Sequence, residues 1–472
     1  MRREGNTPIL GHIDYVTFSL FLALTVVGWL MVFSVGFEEF RNMESGSFLN
    51  TSAGKQAVWI GICSLIFAFI MLFDWKFWQT FAYPIYAVSI GLLVLVLFAG
   101  TSIKGATSWF SFGGFSFQPS EIAKFGTALA LSAFLGSYST DLKKPRSQLI
   151  SFAIILAPIL LILAQPDAGS ALVFLSFLLV LFREGLNPAY YIVAGILGAL
   201  LLAGLVFSPL NITLALTLLA LLIMAFNLRT KKRAYWLAGV AAIAGAAYYL
   251  AQLEYLPQVL GACLLFVLAL GYVLYQQRNG RLSATLLFFL LFGSGLAFAA
   301  NYGFNNVLKP HQQDRINVWL QPDKCDERGS LYNLVQSKTA IGSGGMQGKG
   351  FLHGTMTKGN FVPEQSTDFI FCTIGEEQGF IGAFGIITLF LLLLFRITII
   401  AERQRYSFSR HYAYCVAGII FLHFFINIGM TMGLMPIIGI PLPFISKGGS
   451  SLLGFTIMIA VMLKLDKHRF RI

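Results

Sequence analysis

Long apolar runs separated by short polar connections dominate the chain. Fourteen of them have about the length that carries a helix across a hydrocarbon core: 14–36, 56–73, 79–100, 120–138, 149–164, 168–183, 189–207, 210–226, 235–251, 258–275, 284–302, 369–395, 411–436 and 451–466. The runs are continuous rather than alternating, which argues against a β-barrel. The first is too long, and is followed by too many others, for a cleaved signal peptide. The pattern predicts an all-α polytopic membrane protein with about fourteen transmembrane helices.

Composition narrows this further. Of 472 residues, 57% are hydrophobic and only 11% charged, against about 25% charged in soluble domains. A soluble enzyme, a disordered chain and a disulfide scaffold are thereby excluded. The five cysteines, at 63, 263, 325, 372 and 415, are scattered and show no CxxC or Cys/His metal spacing, so neither a structural zinc nor a disulfide framework is expected. The net charge of +12 becomes informative once each charge has a side of the membrane. With a cytoplasmic N-terminus, 21 of the 33 Lys and Arg fall inside, among them Lys143, Lys144, Lys231, Lys232, Arg403 and Arg410. That asymmetry satisfies the positive-inside rule and makes both termini cytoplasmic.

Segment 303–368 is the one long polar stretch, and on this topology it faces outward. It carries Lys309, Arg315, Lys324, Arg328, Lys338, Lys349 and Lys358 beside Asp314, Asp323, Asp326, Glu327, Glu364 and Asp368. A loop this long is commonly functional or disordered; its apolar anchors Trp319, Leu320, Phe351 and Phe361 favour an ordered one. The Gly-rich run from Ala340 to Gly354 resembles a phosphate cradle but fails the Walker A pattern. Position 343 is Ser rather than Gly, and Gly350 replaces the required Ser or Thr. What remains is flexible backbone whose N–H groups could approach an anion closely.

Charges inside spans are costly and point to function. Glu121 and Lys124 are three apart and share a helix face; an ion pair that merely orients helices is the alternative. Asp167, after Pro166, suits a helix N-cap as well as a site. Glu376 and Glu377 are adjacent on one helix, so at most one is expected to face a site. His423, alone in an apolar run, reads as a satisfied core histidine.

Several strings together resemble the SEDS family (shape, elongation, division and sporulation proteins), most closely its RodA branch. They are SWFSFGGFSFQPSEIAKF (108–125), QPDAGSALVF (165–174), RINVWLQPDKCDERGSLYNLVQSKTAIGSGGMQGKG (315–349), PEQSTDFIFCTIGEEQGFIG (363–382) and GIPLPFISKGGSSLL (439–453). The GIPLP form is RodA-like; the FtsW division branch typically lacks its first proline. The resemblance implies a ten-helix core, to which this chain adds about four spans. The implied organisation is an N-terminal part of the core at 1–207, inserted helices at 208–302, the catalytic outer loop at 303–368 and the rest of the core at 369–472. It implies a peptidoglycan glycosyltransferase of the bacterial cytoplasmic membrane that polymerises lipid II at its outer face for elongation and rod shape. Its partners would be a class B penicillin-binding protein and the elongation machinery, with no nucleic acid. Aligned back from Tyr332 and Gln336–Ser337, the family's essential aspartate falls on Asp326, with Asp323 as the decoy. The family's lysine falls on Lys124. Glu327, Ser366 and Lys447 depart from the family's usual Pro, His and Tyr.

A β-1,4 bond made from an α-linked donor requires inversion, one group to deprotonate the acceptor hydroxyl, and cations to take up charge on the departing diphosphate. Asp326 suits the base. Lys124, Arg315 and Lys338 suit the cations, with Glu121, Asp167, Gln336, Ser337 and Glu364 around the substrate. No cofactor is demanded; a divalent ion, Mg or Mn, held with Asp326 is the alternative role for that residue. A lipid II flippase, a scaffold for the transpeptidase and the division-specific paralogue remain the competing functions.

Overall fold

In lipid every backbone N–H and C=O must pair within its own segment, so uninterrupted apolar runs become helices. The computed structural model describes residues 13–469 apart from 42–47, 104–105, 113–114, 229–232, 253–254, 278 and 326–328. Eleven of the described helices are long and apolar enough to cross a membrane. The other three apolar runs take different forms: a 17-residue helix at Pro119–Leu135, a helix broken in two between 168 and 183, and the helix Arg233–Gln252.

Contacts divide the chain into two units, Met1–Asn187 with Asp326–Ile472, and Pro188–Cys325. The first unit holds α1 (Tyr15–Val35), α2 (Phe37–Arg41), α3 (Ser52–Leu72), α4 (Trp75–Thr80), α5 (Ala82–Ala99), α6 (Pro119–Leu135), α7 (Pro145–Ala164), α8 (Ala168–Val173) and α9 (Ser176–Arg183). The second holds α10 (Pro188–Val206), α11 (Pro209–Phe226), α12 (Arg233–Gln252), α13 (Leu256–Gln276), α14 (Gly280–Asn306) and α15 (Pro310–Leu320). The chain then returns to the first unit with α16 (Ser330–Ser343), α17 (Thr355–Lys358), α18 (Ile370–Glu402), α19 (Ser407–Met432) and α20 (Gly449–Lys467).

The second unit is wider than the 208–302 stretch that the family pattern suggested. Helix α10 packs on α14, and α11 on both α13 and α14, around a core of Leu221, Met224, Val267, Leu270 and Leu274. The long polar segment 303–368 is accordingly split between the units. Its first half, with α15, goes with the second unit; α16 packs instead on α18 and α19 of the first.

A small antiparallel sheet, β1 (Thr101–Ile103), β2 (Ala106–Phe112) and β3 (Phe115–Phe117), precedes α6. Phe110 pairs with Phe117 and Ser111 with Ser116. Counting apolar runs does not reveal it. The alternation in SWFSFGGFSF around a Gly-Gly pair does, since two such residues between alternating stretches are a hairpin signal.

In the first unit, α6 packs against α5, α7, α19 and α20, and α19 against α18. One end of this bundle is tied by charge. Asp14, the N-cap of α1, accepts from Arg396 Nε at 3.0 Å and Arg403 at 3.1 Å. Arg403 also donates through Nε to Asp466 at 2.9 Å, and Arg469 adds a bond of 3.0 Å to the same carboxylate. Burial alone would raise the Asp14 carboxyl, but bonds from Arg396 and Thr17 hold it well below the usual carboxylate range. Glu184, just past α9, behaves alike: burial opposes its charge, while His411, Arg410 and Arg183 lower it.

Candidate active site

Pro119 opens α6 at a position where a missing N–H costs nothing. One turn on, Glu121 and Lys124 point into the bundle, 2% and 0% exposed. Lys124 Nζ donates to Glu121 Oε1 at 2.9 Å and lies 2.8 Å from His423 Nε2 on α19. It also lies 5.4 Å from the centroid of the Phe455 ring on α20. The other ring nitrogen, His423 Nδ1, is 3.1 Å from the carbonyl of Pro441. A carbonyl only accepts, so Nδ1 carries the proton and Nε2 accepts from the ammonium. His423 is thus a satisfied buried histidine, as expected, but its partner is the site lysine. Glu121 Oε2 is buried and has no hydrogen-bond partner among the described residues. The arrangement is an enclosed ion pair with one carboxylate oxygen left over.

A second lysine–carboxylate pair binds the Gly-rich segment to α18. Glu376 Oε1 accepts from Lys349 Nζ at 2.7 Å and from the backbone N–H of Met356 at 2.8 Å. Oε2 accepts from the N–H of Thr357 at 2.9 Å and from its hydroxyl at 2.8 Å. Thr355 adds a longer bond of 3.2 Å to Oε1. Glu377 accepts from Ser34 on α1. Both glutamates are buried, and both meet the Gly-rich segment, Glu377 through the backbone of Leu352 and Gly354.

The Gly-rich run corrects one expectation. Its N–H groups are not open to an anion at Lys349 and Gly350, because they donate to the carbonyls of Glu376 (3.0 Å) and Glu377 (2.9 Å). The exchange is made possible by a break in α18 at Gly379, with φ 65° and ψ −161°, a conformation that only glycine adopts freely. A Cβ at Gly379 would sit 2.3 Å from Gly348 N. Phe380 and Ile381, past the break, donate to Gly345 and Met346 in return (2.8 and 3.1 Å). The run is a structural strap.

The remaining expected residues take varied places. Asp167 caps α8, accepting from the N–H of Ser170 at 3.0 Å, and also accepts from Gln118 Nε2 at 2.9 Å. Ser337 is buried on α16 and donates to the Thr431 carbonyl at 3.0 Å, while Gln336 is half-buried beside it. Lys338 is exposed and lies along the α19 terminus, against Gly433. Glu364 is exposed, at φ 57°, and its backbone carbonyl accepts from Thr367 and Phe369. Arg315 is exposed on α15, in the second unit. Asp323 is exposed in a short turn, whereas Asp326 lies outside the described residues. Among the described residues no group of three or more His, Cys, Asp or Glu could hold a metal ion.

Two strings of the resemblance, 363–382 and 439–453, meet in the first unit. Asn427 Nδ2 bridges the carbonyls of Asp368 (2.8 Å) and Ile440 (2.7 Å). Lys447 N donates to the Ser366 carbonyl at 2.8 Å, so two departures from the family pattern are neighbours. Lys447 Nζ reaches Ser52 at 2.8 Å.

A bundle of this many apolar helices enclosing an ammonium and a carboxylate defines a polytopic membrane protein with a polar site between helices. The family model described as cell cycle protein, covering FtsW, RodA and SpoVE, matches residues 14–252 and 210–471, and the chain belongs to that family. Peptidoglycan glycosyltransferase RodA of Treponema pallidum (strain Nichols) is 32% identical over 450 residues, covering 95% of this chain and 96% of that protein. Peptidoglycan glycosyltransferase MrdB of Escherichia coli (strain K12) is 30% identical over 461 residues, covering 97% and 94%. A chain in the structure of a peptidoglycan synthase complex coordinating polymerization and crosslinking shares the fold, with TM-score 0.64 at 23% identity and coverage of 98% and 100%. The protein is a multi-pass membrane protein of bacteria.

Proposed function

We propose that the protein is a peptidoglycan glycosyltransferase that polymerises lipid II at the outer face of the cytoplasmic membrane during elongation. The observation that carries this reading is the enclosed Lys124–Glu121 pair, linked through His423 to the carbonyl of Pro441, in a chain that matches glycosyltransferases RodA and MrdB over nearly its whole length. The chain crosses the membrane fourteen times with both termini cytoplasmic. The grouping of Arg183, Arg396, Arg403, Arg410 and Arg469 in carboxylate networks at helix ends supports that orientation. The inserted helices fall within a compact unit of their own. A class B penicillin-binding protein crosslinks the strands, a partnership supported by the likeness to a chain of a peptidoglycan synthase complex.

In this reaction Asp326 acts as the base toward the acceptor hydroxyl or as an anchor for a divalent ion. Lys338, which is exposed, takes up charge on the departing diphosphate. Lys124 contributes its ammonium, which has three donors, of which two are engaged among the described residues. The test is polymerisation of lipid II by the purified chain with its transpeptidase, with and without EDTA. Asp326→Asn should lower polymer yield about 10²–10⁴-fold, the usual worth of general base catalysis. Asp323→Asn should be mild. Reversed results would move the base to Asp323, and a wild-type protein that moves lipid II across vesicles without polymerising it would make the chain a flippase.

A further inference from the structure

We propose that His423 is a positioning residue for the glycosyl transfer: it pins the Lys124 ammonium so that one of its N–H groups keeps a fixed direction for a phosphate oxygen of the lipid-linked donor. The inference rests on the glycosyltransferase reading above. The ammonium has three donors in a tetrahedral array. Among the described residues Glu121 takes one and His423 Nε2 another. Two fixed acceptors leave the third N–H with one direction. Glu121 alone would leave the ammonium free to swing about a single bond.

The histidine is itself fixed. Its Nδ1–H is bonded to Pro441, and its ring stands edge-on to Phe455, centroids 5.0 Å apart at 83°. Its tautomer therefore cannot flip without losing a buried bond. The same link ties Lys124 to the 437–447 segment, whose neighbour Ile440 is held by Asn427 and whose Ser446 hydroxyl donates to Thr367. Movement of the outer segments is thus transmitted to the ammonium through one imidazole. A histidine serving only to fill the core would need no acceptor aimed at a lysine; leucine would fill the same space.

The experiment uses the full chain with its transpeptidase and lipid II as substrate. His423→Leu keeps bulk and removes the acceptor. His423→Gln restores an acceptor oxygen at similar reach. Melting temperature and detergent monodispersity are measured on the same preparations. The proposal expects His423→Leu to lower kcat on the order of 10- to 100-fold, the cost of misplacing a reacting contact, with KM within a few-fold of wild type. His423→Gln should recover most of that loss. Equal loss in both variants, tracking melting temperature, would make His423 a packing residue and overturn the proposal. So would full activity in His423→Leu. If wild type itself forms no polymer, the glycosyltransferase reading fails instead, which the wild-type control reports separately.

Discussion

Two lysine–carboxylate pairs in the first unit invite comparison. Glu376 and Lys349 join the Gly-rich segment to α18; Glu121 and Lys124 lie on one helix inside the bundle. Both glutamates are buried, yet their surroundings differ. Both oxygens of Glu376 are occupied, by one ammonium, two hydroxyls and two backbone N–H groups. Glu121 keeps one oxygen without a described partner, and its lysine is shared with a histidine. A buried charge that is fully satisfied stabilises one conformation, whereas one left partly satisfied is costly to bury. On the proposed reading the difference separates a structural clamp from a site, although the residue types are the same and both carboxylates are buried.

The sharpest way to break the comparison is Lys124→Ala. It should reduce polymerisation about 10²–10³-fold, as loss of a charge-stabilising donor does, while the protein still inserts in the membrane. Because it strands Glu121, it should also cost about 3–5 kcal/mol of stability. Lys124→Ala combined with Glu121→Ala should regain stability without regaining activity. Full activity in Lys124→Ala would reduce the pair to a helix-orienting salt bridge.

Glu376→Gln probes the other side. The amide keeps one acceptor oxygen and loses the rest, so destabilisation of about 1–3 kcal/mol is expected, seen as a lower melting temperature and faster proteolysis between 344 and 360. Turnover per folded molecule should stay near wild type. A loss of turnover with unchanged melting temperature would place Glu376 in the site and erase the distinction.

The smallest effect concerns the charge networks at the helix ends. Asp14 and Glu184 have carboxyls lowered in the folded state. Their contribution is therefore complete above the ordinary carboxylate values of about 4, and is lost as pH falls through the lower folded values. Unfolding followed from pH 6 downward should show an acid limb that Asp14→Asn flattens, with little change at pH 7 in the slope against pH. An unchanged limb would mean that these networks add nothing to the folded state.

The apolar runs, the positions of most helices and the candidacy of Glu121, Lys124 and Asp167 were legible from residue order. Asp167 proved a cap of the kind its Pro-Asp setting suggests, with Gln118 as an added partner. The strap around Glu376 was not legible, because its donors lie 19–27 residues earlier and look like a loop. His423 could be read only as a satisfied core histidine; its link to Lys124 spans 299 residues.

What the sequence determined by itself is the solvent. Whether a segment enters lipid depends on the length and composition of that segment, and these are local properties. The split of the polar segment 303–368 between two units, the closure of the Gly-rich run on α18 and the pairing of Lys124 with His423 were decided only by tertiary structure. Satisfying a buried charge requires groups to meet within about 3 Å. Nothing in residue order says which helix will supply the partner until the helices have packed.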